Sequence, residues 1–246
     1  MGNITLICYV YRDDAEIAKI SLGQAKKLLP ESRVMAIDDA HRPMMRHDVL
    51  ELKRLGVKVQ YSAHNRNGNL IGPEHTLEHV RLMHAWATRE EDIVIKIDPD
   101  TLLLSREWID GFKLDGHACL AGSFKAHINY VIGMADAVRG GIYLSSLVDD
   151  VERYPAWVKC FEDFEVSSRL HRLSKADIDA TLIHRYDVNG RDGWVMCDHR
   201  KANVGQIAKA AAVFNGGFFN KADRTAKAGM ADTMRRVLEV KEKIAL

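Results

Sequence analysis

The chain has 246 residues, 47% hydrophobic and 28% charged, which is enough apolar material for a full core and excludes a disordered or low-complexity polypeptide. Its 35 Lys plus Arg balance 34 Asp plus Glu, so a formal net charge of +1 supplies no global field for a polyanion, and bulk nucleic-acid binding is not expected. Cys8, Cys119, Cys160 and Cys197 form no C-x-x-C pair and read as reduced, buried small residues. There is no signal-peptide pattern and no apolar run of membrane-span length, and Leu6 stands where a myristoylation motif wants Ser or Thr. The expectation is a soluble cytoplasmic protein.

In chain order, Ile4 to Val10 is a continuous apolar run of strand length, of the kind buried on both faces in a parallel sheet. Asp13 and Asp14 offer an N-cap to a helix carrying Ala18, Leu22, Ala25 and Leu29, which Pro30 ends. Arg33 to Ile37 reads as a second strand. Met45, Val49 and Leu52 mark a second helix with Gly56 just past its end, and Val57 to Tyr61 a third strand. A polar Gly- and Asn-rich loop follows, and Pro73 opens a helix bearing Val80, Met83 and Ala87 on one face. Asp92 to Ile97 is the fourth strand.

This β-α-β-α-β-α-β order predicts an α/β chain with an open, mostly parallel sheet and helices on both faces. Ligands of such sheets bind beyond the carboxyl ends of the strands. Three polar segments fall there: Tyr11 to Asp14, Asp38 to Arg42, and Asp98 to Thr101. Beyond them the rhythm changes. SREWIDGF reads as a short helix, ACLAGSF as a strand, and GGIYLSS as a short strand opening a helix toward Arg153. Pro155 starts a further helical segment, and two candidate strands, DATLIHRYDV and DGWVMCD, flank Asn189-Gly190-Arg191. The tail is an amphipathic helix with Met234, Val237, Leu238 and Ile244 on one stripe. With neither repeat nor linker, residues 1–246 are expected as one domain, 1–104 the nucleotide-binding half and 105–246 a mixed-sheet acceptor half with a C-terminal helix.

The segment DIVIKIDPDTLLL carries the chemistry. Asp98 and Asp100 follow an apolar strand directly, and in an extended segment residues i and i+2 point the same way. Two carboxylates at a strand's carboxyl end suit a hard divalent cation, Mg²⁺ or Mn²⁺, with positions left for substrate phosphates. A second pair, Asp177 and Asp179, has no apolar strand leading into it, so position favours the first. Tyr9 and Tyr11, near the end of the first strand, are candidates to stack on a nucleobase, against the commoner fate of core packing.

A strand entering D-x-D after a βαβα half resembles the GT-A glycosyltransferases, in which this motif holds the metal that bridges a sugar nucleotide's diphosphate. The resemblance extends over much of the chain. IDDAHR implies a ribose or base contact for Asp38 or Asp39, although Ala40 and His41 depart from the D-D-G-S form common in one large branch. NRNGNLIGPEH places Arg66 near a phosphate. VRGGIYLSS resembles the family's G-G segment beside the acceptor site. CFEDFEVSSRL resembles the helix start that supplies the acceptor base, implying Asp163 with Glu162 as its nearest competitor. Many proteins of this fold complete the metal shell with a downstream histidine, here His199, with His184 the alternative.

The resemblance thus implies a metal-dependent, Rossmann-like GT-A transferase. It would move sugar from a nucleotide-diphosphate donor, UDP favoured, to an acceptor hydroxyl of unread identity, by an inverting course if Asp163 is the base. Three competing readings fit less well. A haloacid-dehalogenase-type phosphatase opens its domain with D-x-D, a nucleotidyltransferase carries a Gly-rich basic loop where this chain has YVYRDDAE, and a non-catalytic nucleotide-sugar-binding module needs none of the acidic set.

Overall fold

The computed structural model describes residues 2–63, 73–106, 109–110, 119–123, 135–154, 166, 169, 183–187, 204–210, 213–215 and 224–245. The first half runs β1 (Ile4–Val10), α1 (Ala15–Leu28), β2 (Arg33–Asp38), α2 (Arg46–Arg54), β3 (Lys58–Tyr61), α3 (Pro73–Trp86) and β4 (Ile93–Ile97), in the expected order. There follow β5 (Thr101–Leu103), β6 (Cys119–Ser123), β7 (Ala135–Arg139), α4 (Ile142–Arg153), β8 (Ile183–Asp187), α5 (Val204–Ala210), β9 (Val213–Asn215) and α6 (Arg224–Ala245).

Seven strands form one sheet in the order β3-β2-β1-β4-β7-β6-β8, and β5 pairs with β9 in a separate ribbon. The first four are parallel. β7 then runs antiparallel to both β4 and β6, and β6 pairs parallel with β8. Chain order grows from β1 to one side through β2 and β3, then jumps to the other side with β4. That reversal opens a crevice at the carboxyl ends of β1 and β4, the topological switch point where sheets of this kind take ligands.

The period of two along each strand sorts the core into two layers. Leu6, Cys8, Ala36, Ile93, Ile95 and Ile97 meet α1 and α2 through Ala18, Leu22, Ala25, Val49 and Leu52. Ile7, Met35, Ile37 and Val94 face the other way, onto Val80 and Met83 of α3 and Leu144, Leu147 and Val151 of α4. A third cluster lies outside α1, where Ile17, Leu102 and Leu104 pack with Ile207 of α5 and Met230, Met234 and Val237 of α6. Ile244, expected on the same stripe, is exposed, because the buried face of α6 follows Met230, Ala231, Met234 and Val237 and ends before it.

Two expectations about the second half change. The strand expected at GGIYLSS lies upstream, at Ala135–Arg139, and α4 begins directly after Gly141. Ala135, Asp136 and Ala137 are weak strand formers; pairing with β4 on one edge and β6 on the other overrides propensity. Gly140 and Gly141 form the turn between strand and helix. A Cβ on Gly140 would lie 2.4 Å from the carbonyl oxygens of Ala87 and Arg89, and Gly141 sits at φ +59°. Because β7 is antiparallel to β4, this turn lies at the amino end of β4. The glycines expected beside an acceptor site are therefore at the opposite end of the sheet from Asp98, where they seat β7 against the α3–β4 connection. The ribbon of β5 and β9, and helix α5, had no counterpart in the sequence reading. DGWVMCD and half of SREWIDGF fall outside the described residues.

Candidate active site

The crevice is built from the segments that leave β1, β2 and β4. After β4 the chain turns at once: the Thr101 amide donates to the Asp98 carbonyl at 3.0 Å, closing a four-residue turn with Pro99 and Asp100 in its middle. The expectation of an extended Asp98–Asp100 segment therefore gives way to a turn, and the two carboxylates differ in setting. The Asp98 side chain is 39% exposed. Asp100 is 8% exposed. The turn is held from outside by the Ser21 hydroxyl of α1, which donates to the Thr101 carbonyl, and by the pairing of Thr101 with Asn215 in the ribbon.

Under Asp98 lies a residue that the sequence reading passed over. Lys96 occupies a strand otherwise made of Ile and Val, its side chain is only 6% exposed, and its Nζ stands 2.8 Å from Asp98 Oδ1. Its register partners are Ile7 on β1 and Asp136 on β7. The signal was in DIVIKID: alternation puts residues 96 and 98 on one side of the strand, so a lysine there can only lie along the sheet and surface at the aspartate.

On the opposite side of β1, Cys8 registers the local field. Burial pushes its thiol well up, and Asp98, Asp14 and Asp100 push it further while Lys96 opposes them. Asp14, read from sequence as an N-cap, makes no capping bond; it is buried and hydrogen-bonds the Tyr11 phenol. Tyr11 is 4% exposed, its hydroxyl pushed well up by burial and by Asp14 and Asp13. In this structure the Tyr11 ring packs into the fold and offers no open face for a nucleobase. Tyr9 is only partly buried: it packs against the core layer that faces α3, and its hydroxyl stands 2.8 Å from Nδ1 of buried His79 on α3.

Asp38 and Asp39 close β2, and each is 1% exposed. Asp39 Oδ1 accepts the His41 and Arg42 amides at 2.8 and 2.7 Å, and Asp38 Oδ1 accepts the Met44 amide at 2.8 Å. These bonds fold residues 39–44 back over β1, where the Arg12 amide donates to the Arg42 carbonyl at 2.9 Å and Arg42 pairs with Asp13 at 2.5 Å. In this structure both carboxylates turn inward to satisfy backbone donors and so shape the loop. Burial, the larger influence, raises the Asp38 carboxyl against the amides that it accepts, and its Oδ2 is buried without a hydrogen-bond partner.

Arg66, Glu162, Asp163 and His199 lie outside the described residues, and of His184 only the backbone, in β8, is described. Among the described residues no three His, Cys, Asp or Glu side chains gather closely enough to hold a metal. What is present fits a hard divalent cation as a partial donor set. Its donors are carboxylate oxygens only, and Asp98 is reachable from solvent.

No family model and no curated protein matches the chain. Solved structures do. A galactosyltransferase, LgtC, in complex with donor and acceptor sugar analogues, superposes with a TM-score of 0.54 at 11% identity over 97% of this chain and 95% of its own. The fold is GT-A. The bifunctional glycosyltransferase WbbM matches with a TM-score of 0.54 at 10% identity over 98% of this chain, which spans only 52% of WbbM. The apo form of GlyE from Streptococcus pneumoniae TIGR4 gives 0.50 at 12% identity over 99% of this chain and 64% of that one. Asp98 and Asp100 follow the carboxyl end of β4, the strand that pairs with β1. Among the described residues no helix is long and apolar enough to cross a membrane.

Proposed function

We propose that this chain is a metal-dependent glycosyltransferase that moves sugar from a nucleotide-diphosphate donor to an acceptor hydroxyl, with UDP the favoured carrier and Mn²⁺ or Mg²⁺ the favoured ion. The observation that carries the reading is positional. In a GT-A fold, the strand that ends at the topological switch point is followed at once by two aspartates, Asp98 and Asp100, which supports this reading. The phosphatase, nucleotidyltransferase and binding-module readings are not favoured by that frame.

Asp98 and Asp100 would hold the ion, with His199 the candidate for a further ligand. When bound, the ion compensates charge that develops on the departing diphosphate. Arg66 would meet a phosphate oxygen. Tyr11, Asp38 and Asp39 would serve the nucleoside end indirectly, by fixing the walls of the crevice. Asp163, or Glu162 beside it, would take the proton from the acceptor hydroxyl as the new glycosidic bond forms. Inversion at the anomeric carbon follows if one of these is the base, and NMR of the product anomer reads it directly.

The test is thermal stability with Mn²⁺ or Mg²⁺ against UDP, GDP, CMP and dTDP. A metal-dependent rise in Tm with one nucleotide, lost in Asp100→Ala, is the expected result. No rise with any of the four at millimolar concentration would overturn the reading.

A further inference from the structure

Lys96 is the feature that the proposed reaction does not absorb. A lysine on a buried strand between β1 and β7 is costly to desolvate, and the Nζ of this one stands 2.8 Å from an aspartate oxygen of the candidate metal site. Its side chain is 6% exposed against 39% for Asp98, so its charge acts on whatever Asp98 holds. We propose that Lys96 is a built-in counter-charge that keeps the affinity of the Asp98–Asp100 site for a bare divalent cation low, so that the ion is held firmly only together with an anionic donor. This inference rests on the metal-site reading above.

The sign follows from charge alone. A cation bound to either oxygen of the Asp98 carboxylate lies no more than about 7 Å from the ammonium, given ordinary metal–oxygen distances. Even at the dielectric constant of water, repulsion between one charge and two over that span is worth roughly tenfold in affinity. Removing the ammonium therefore tightens binding of the bare ion. Loss of an ordinary structural contact has the opposite effect, because a disordered Asp98 binds metal less well.

The experiment titrates Mn²⁺ alone into the full chain and follows free Mn²⁺ by electron paramagnetic resonance, in wild type, Lys96→Met, Lys96→Arg and Asp100→Ala. Lys96→Gln, neutral and able to donate to Asp98, stands in if the methionine variant does not fold. The expected result is an approximately tenfold lower Kd for Lys96→Met or Lys96→Gln, a value near wild type for Lys96→Arg, and a higher Kd for Asp100→Ala. Unchanged or weaker Mn²⁺ binding in the neutral variants overturns the counter-charge, while the metal site stands if Asp100→Ala still weakens the wild-type affinity. Mn²⁺ binding that Asp100→Ala leaves untouched removes the metal site, and the inference with it.

Discussion

Asp92, the residue before β4, offers the sharpest test of how the sheet is held. Its buried carboxylate accepts the Asn3 amide at 2.8 Å, the Asn3 side-chain amide at 3.2 Å, the Arg89 amide at 3.2 Å and an Arg89 guanidinium nitrogen at 2.9 Å. One side chain thus ties the start of β1 to the turn that launches β4. Replacing Asp92 by Ala orphans two backbone donors whose bonds to a charged acceptor are worth about 1.5 kcal/mol each. The exposed Arg89 head group is screened by water and adds little. The expected cost is about 3 kcal/mol, with Asp92→Asn about half of that because one neutral acceptor survives.

Urea unfolding followed by circular dichroism reads this as a lower midpoint at unchanged slope. The pH dependence is an internal check. Burial acts to raise the Asp92 carboxyl, but the Arg89 and Asn3 hydrogen bonds outweigh it, so the group titrates below its ordinary value. A depressed carboxyl gives stability that is present above the unfolded value, about 3.9, and lost as pH falls through the folded one. The gap between wild type and Asp92→Ala should be full at neutral pH and narrow below about pH 4. A cost under about 1 kcal/mol at neutral pH, or a gap that widens on acidification, would refute the reasoning.

Four further substitutions have expected outcomes. Thr5→Val should raise stability by about 1 kcal/mol in the same urea assay, because the Thr5 hydroxyl is buried without a hydrogen-bond partner. Gly140→Ala should lower Tm by several degrees, since its Cβ would press on two backbone carbonyls, whereas Gly229→Ala in α6, which meets nothing within 4 Å, should raise Tm slightly through helix propensity. Tyr9→Phe should cost about 1–2 kcal/mol by stripping buried His79 of its 2.8 Å partner, measured by the shift in urea midpoint.

The first half of the fold was legible because its strands are continuous apolar runs and its helices are punctuated. Val10, Pro30, Gly56, Pro73 and Ile97 mark boundaries that the backbone respects to within about two residues. Asp98 was findable for the same reason, since a strand end is a position that sequence alone can specify. Ala135–Arg139 was not legible, because its strand state comes from neighbours on both edges and its own residues argue against it. Gly140 and Gly141 misled by residue type: a glycine pair announces close backbone approach without saying to what, and here the answer is the carbonyls of Ala87 and Arg89. Asp38, Asp39 and Asp14 misled in another way. Carboxylates at strand ends are as useful to unsatisfied backbone amides and phenols as to a ligand, and only coordinates distinguish the two. Lys96 could have been read from alternation but was hidden by the apolar character of its strand.

The ribbon that braces Asp100 has a consequence for how the protein is made. Thr101 is held on one side by Ser21, made early, and on the other by Asn215, made more than a hundred residues later. As the chain leaves the ribosome, β1 to β4 and the helices between them emerge with all of their mutual partners. β9 and the helix that packs over α1 arrive near the end. The nascent sheet can therefore assemble around a turn that still lacks its outer clamp. The bracing of the Asp98–Thr101 turn is thus completed well after the sheet that it caps.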